Sequence, residues 1–197
     1  MSATSPVPQS VIDEFVGVAH GDFQRLQELL VEYPAVLNGD ATWHETAIEA
    51  AAQMGRVDIV EYLLAAGAPL DICTAAMLGR RADVAAALDA DPAAAHATGA
   101  HGIPVLYYPA IANHPAIAED LLARGAEVNA GAGGNTPLHG AAMFGQPEMA
   151  AWLLAHGADP AARDYNGKTP LEVALDSNQA AVADLLRAHS PAPGNEV

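Results

Sequence analysis

The residues of this chain with chemistry to offer are eight histidines, one cysteine and a tyrosine pair. The histidines are His20, His44, His96, His101, His114, His139, His156 and His189. Metal binding from a helix needs two rings on one face, as in HxxxH or HExxH, and neither spacing occurs. Cys73 has no second cysteine with which to form a thiolate pair or an internal disulfide, and it stands near Asp71 without a base beside it in sequence. A buried thiol is therefore expected there, not a nucleophile. No G-x-S-x-G elbow, phosphate loop or dinucleotide fingerprint is present. The less ordinary stretch is VLYYPAIANHP, where Pro109 follows Tyr107 and Tyr108 in a segment that should be helical. Together with His101 and His114, these two tyrosines could dress a pocket for a small molecule or for catalysis.

Those groups must be positioned by a framework of small residues. With 51% hydrophobic and 16% charged residues, the 197-residue chain lies far from disordered composition and is long enough for a real core. Aromatics make up only 5%, while alanine fills stretches such as AIEAAAQMG and DVAAALDADPAAAHA. Such a core suits closely packed helices better than sheets. The formal charge is −16, from 24 acidic against 8 basic residues, with no basic run beyond Arg80–Arg81. This balance is repelled by phosphate backbones and anionic membrane surfaces, so neither nucleic acid nor membrane is expected as a partner. The opening MSATSPVPQS has no basic region followed by an apolar one, and no apolar run reaches the ~20 residues that span a bilayer. A cytoplasmic location, without cofactor or metal, is the expectation.

Self-comparison exposes a repeat. Thr46, Thr136 and Thr169 open TAIEAAAQMG, TPLHGAAMFG and TPLEVALDSN, and each is followed by a leucine pair, Leu63–Leu64, Leu153–Leu154 and Leu185–Leu186. Pro104 opens PVLYYPAIAN in the same register, with Leu121–Leu122. Three units close on LLAAGAP, LLARGAE and LLAHGAD, and the step from Thr136 to Thr169 is 33 residues. These features resemble the ankyrin repeat, with its T-P-L-H-x-A signature and period of about 33, in its stand-alone, bacterial-type form. The resemblance implies an all-α solenoid of about six helix-turn-helix units with short β-hairpin fingers. It also implies a non-enzymatic protein-protein interaction module, and a bracing role for His139, whose place is taken by Tyr107 and Glu172 in units four and six.

The expected units run approximately over 11–40, 41–70, 71–98, 99–130, 131–163 and 164–189, between disordered tails at 1–10 and 190–197. Gly21, Gly55, Gly79, Asn113, Gly145 and Asn178 mark the turns inside them. Asparagine is the best replacement for glycine where φ must be positive. The step of only 24 residues from Gly55 to Gly79 predicts a truncated finger between units two and three.

Stacked repeats are read down columns. The pair that ends each first helix faces the concave side in the family, and here it carries Met54, Met77, Leu78, Ile111, Met143 and Phe144. Methionine recurs on adaptable binding surfaces, and an exposed apolar row marks an interaction site. The finger column adds Trp43, Glu45, His101, Ile103, Asn135, Tyr165 and Lys168. Together these residues predict a groove that binds a partner peptide or helix, amphipathic and basic-edged to suit the acidic surroundings. The protein is expected to be monomeric; the alternatives are self-association through the same patch and the fourth-unit pocket of His101, Tyr107, Tyr108 and His114.

Overall fold

The computed structural model describes residues 6–131 and 133–189. The expected tails lie largely outside the described residues, and the first helix already begins at Gln9. Twelve α-helices follow one another in pairs among the described residues. They are α1 (Gln9–Ala19) and α2 (Phe23–Glu32), α3 (Ala47–Gln53) and α4 (Val57–Ala66), α5 (Ile72–Met77) and α6 (Arg81–Ala90). Then come α7 (Tyr107–Ile111) and α8 (Pro115–Ala123), α9 (Pro137–Met143) and α10 (Pro147–Ala155), α11 (Pro170–Asp176) and α12 (Ala180–His189). The first helices of successive pairs pack on one another in order from α1 to α11, so the chain stacks as a solenoid.

The helix starts follow from the sequence. Thr46 and Thr169 form capping boxes with Glu49 and Glu172, and the Thr136 side chain accepts from the His139 amide. Proline opens α8, α9, α10 and α11, where its missing N–H removes no intrahelical bond. The same reason admits Pro109. Helix α7 has shrunk to five residues, which leaves this proline in the first turn. Asn113 and Asn178 take φ +57°, beside Gly55, Gly79 and Gly145 between +63° and +73°. The first turn differs: Gly21 is not among the positive-φ residues, and Asp22 caps α2 directly.

Alanine allows the inner helices to approach closely. Ala50, Ala51, Ala52, Ala110, Ala141 and Ala142 have no exposed surface. Leu63, Leu121, Leu153 and Leu186 on the second helices are equally buried, each contributing roughly 1.5–3 kcal/mol.

Among the described residues the β-hairpin fingers do not form. The finger loops are closed by Ala41 N–H to Glu45 O, Gly99 N–H to Ile103 O and Asp164 N–H to Lys168 O, all 2.9 Å, and the fourth adds Val105 N–H to Ala97 O at 2.9 Å. The sole β-bridge among the described residues is the isolated pair Thr98–Pro104. A ladder needs successive paired bonds, and these loops turn back after four residues. Between α4 and α5 the connection shrinks to residues 67–71, so unit three has no finger at all.

Candidate functional site

The missing finger decides the geometry of the concave side. Without it, the fourth-unit loop lies against the second-unit loop, and His101 Nε2 comes within 3.6 Å of Glu45 Oε1. At the other end of the inner helices, a side-chain carbon placed on Gly55 would lie 3.4 Å from Phe144 Cε1 and 3.8 Å from Ile111 Cδ1. Units two, four and five therefore converge over unit three.

This convergence corrects the expected apolar row. Met77 and Ile111 are only 1% and 3% exposed, so they belong to the core and cannot meet a partner. Leu78, Met143 and Phe144 are half-buried, and Met54 alone in that column is exposed. In place of a continuous groove there is a bounded cleft of about 720 Å³. Its apolar walls are Met54, Ile103, Tyr107 and Met143; its polar fittings are Gln53, His101, Asn135 and Tyr165. The glycine-rich fifth finger, Gly131 with Gly133 and Gly134, lines the remaining side. Tyr165 stands at the rim, 68% exposed.

Glu45 also departs from expectation, because it is a buried carboxylate and not a surface contact. Trp43 Nε1 donates to its Oε2 at 2.7 Å, and Gln53 Nε2 donates to its Oε1 at 2.6 Å. Gln53 Nε2 also lies 3.1 Å from His20 Nε2. An amide nitrogen only donates, so that ring nitrogen accepts, and the proton sits on His20 Nδ1, 3.2 Å from Gly17 O. His20 Nε2 is itself 3.7 Å from Glu45 Oε1. Gln53 Oε1 is left buried without a donor.

The four residues of the alternative pocket are not brought together. His101 and Tyr107 line the cleft. Tyr108 is buried elsewhere, its unpaired hydroxyl occupying the space a side chain on Gly99 would need. His114 donates from Nε2 to the Met77 carbonyl at 3.2 Å, under the Gly79 turn. Burial, then the neighbouring Tyr165, holds the Tyr107 phenol above its usual range; burial does the same for Tyr108 and for the Cys73 thiol. These groups stay protonated at neutral pH and make poor nucleophiles or bases. Among the described residues no group of three His, Cys, Asp or Glu is placed to hold a metal ion, and no helix is long and apolar enough to cross a membrane.

Comparison with known proteins adds the family. The model described as ankyrin repeats (3 copies) matches residues 106–195, and the single ankyrin repeat model matches 43–75, together more than half of the chain. The chain belongs to the ankyrin repeat family. Its ankyrin units are similar to those of Ankyrin repeat and SOCS box protein 11 of Danio rerio, 47% identical over 58 residues. They are also similar to the Putative E3 ubiquitin-protein ligase XBAT34 of Arabidopsis thaliana, 42% over 76 residues, and to the ARF GTPase-activating protein Git of Drosophila melanogaster, 50% over 52. The matches cover 29%, 37% and 26% of this chain but only 20%, 20% and 7% of those relatives. What is shared is the repeat, which in this family is an interaction module for other proteins and is generally non-catalytic.

Within the ankyrin array His139 has the bracing role implied by the resemblance. Its Nδ1 accepts from the Thr136 hydroxyl at 2.8 Å, and its Nε2 donates to the Lys168 carbonyl of the next unit at 3.0 Å. Sequence reasoning left Gln53 and the fifth-finger glycines out of the site. A polar residue beside Met54, in a column otherwise apolar at its centre, was the available signal.

Proposed function

We propose that this ankyrin array recognises a short segment of a partner protein, whose side chains enter the cleft between the end of helix α3 and the fourth, fifth and sixth fingers. The observation that carries the reading is the bounded 720 Å³ space with Met54, Ile103 and Met143 as walls. Among the described residues seven large hydrophobic side chains are exposed; Met54 and Tyr165 of these line the cleft, and Trp43 is bonded to Glu45 beside it. Aromatic and methionine side chains at a concave surface are the usual anchors of protein recognition. A long helix laid across four units is not favoured, because Met77 and Ile111 have no surface to offer it.

A second reading has its own observation. A space of this volume with few polar fittings is also the size of a small-molecule site, typically ~300–1,000 Å³. His101 beside Glu45 has the look of an oriented base, but no serine, cysteine or lysine lines the cleft to act as nucleophile.

Selection of a displayed random-peptide library on the purified protein separates these readings. Enriched peptides should lose binding to Met143→Glu and keep it for Val31→Glu, a control on an exposed residue outside the cleft. Peptides that ignore Met143→Glu would overturn the cleft as the recognition site. Failure to enrich any peptide would favour a small ligand.

A further inference from the structure

We propose that the cleft receives an arginine side chain of the partner segment, with the guanidinium displacing the His101 ring and taking its place against Glu45. The inference rests on the cleft being the recognition site. It starts from an imbalance of charge. The donors to Glu45 are the neutral Trp43 indole and Gln53 amide, and its only ion-pair contacts among the described residues are the rings of His20 and His101. The His20 nitrogen that faces it is an acceptor in this arrangement. A carboxylate under a cleft wall, with no lysine or arginine of its own, draws a cation from outside, and the chain's net charge of −16 works in the same direction.

The hydrogen-bond inventory agrees. Gln53 is only 8% exposed, lines the cleft, and has a buried Oε1 without a donor. An unpaired buried acceptor carries a desolvation cost that a bound donor removes. Two acceptors, Gln53 Oε1 and Glu45 Oε1, suit the planar fork of a guanidinium better than the point charge of an ammonium. Met54 and Met143 would flank the alkyl stem, and the Tyr107 ring lies in the same wall.

His101 is the group that can yield. It sits at φ +57° on the fourth finger, its side chain is 48% exposed, and the 3.6 Å approach to Glu45 is its one side-chain polar contact among the described residues. The ring can swing away from Glu45 without breaking a hydrogen bond.

The test uses the full chain and three probes, Nα-acetyl-arginine amide, its uncharged citrulline counterpart and Nα-acetyl-lysine amide. Binding is read from the indole N–H resonance of Trp43, with Trp152 as the remote control. The arginine probe should saturate the Trp43 shift at a concentration about tenfold below that needed for citrulline, the difference between charged and neutral hydrogen bonds. Glu45→Gln should erase that preference, His101→Ala should keep or strengthen it, and His101→Arg should block the probe by filling the site from within. Equal response to arginine and citrulline, a lysine probe as good as arginine, or an arginine preference that survives both Glu45→Gln and His101→Arg would each overturn the proposal. Should Glu45→Gln fail to fold, His101→Arg alone decides, because that side chain is half exposed. Library peptides that need Met143 but tolerate replacement of arginine by citrulline would sink the arginine and leave the cleft standing.

Discussion

His139 joins two repeats through one imidazole, and that makes its protonation a stability matter. Burial holds its pKa below the ordinary 6.5, against the smaller opposing effect of the Lys168 carbonyl. The unfolded chain therefore takes up a proton at this position before the folded chain does, and stability must fall as pH drops below about 6.5. The carboxylates held low by their partners, such as Glu172 by Thr169, lose their contribution only below their ordinary value of 4.5. Urea denaturation between pH 7.5 and 5.0 should thus show a loss that His139→Gln flattens; an unchanged slope would remove His139 as the cause. This role was legible from the T-P-L-H motif, because the histidine is fixed by a local cap and by the next unit's backbone. The state of Glu45 was not legible, because its burial depends on a loop 56 residues later in the chain.

Helices α7 and α9 meet through an unequal pair of surfaces. Unit four carries Tyr107 where units five and six have His139 and Glu172, and α9 answers with Gly140. A β-carbon there would lie 2.7 Å from Tyr107 Cε2 and 2.9 Å from Ile111 Cγ2. Gly140→Ala should therefore destabilise the protein by roughly 1–3 kcal/mol through overpacking, despite the ~1 kcal/mol that alanine gains in a helix. Thermal melts of Gly140→Ala alone and combined with Tyr107→Leu check this, since the smaller partner should recover part of the loss. A neutral or stabilising single variant would show that the helices can part at little cost. Helix starts, turn asparagines and cap glycines were all readable in the sequence, since each is settled within a few residues. The expected β-hairpins were not, because a ladder needs a run of paired backbone bonds, and among the described residues these short loops reach only one isolated bridge.

The whole array is bent around the unit that lacks a finger, and Phe144 spans the bend toward Gly55. Phe144→Ala should cost roughly 1–3 kcal/mol, less than the ~3–5 of a fully buried phenylalanine. It should also speed amide exchange in α3 more than in α11, the nearer neighbour in sequence. Exchange that rises only in α9 to α11 would show that the contact toward unit two carries no coupling. The repeat, its period, the helix pairs and the shortened connection were all written in the order of residues, because local caps and nearest-neighbour stacking settle them. Whether the apolar column became a groove or a core was a matter for the tertiary structure. Curvature sums over several units, and a short connection between the second and third was enough to bury Met77 and Ile111 and to enclose the cleft beside them.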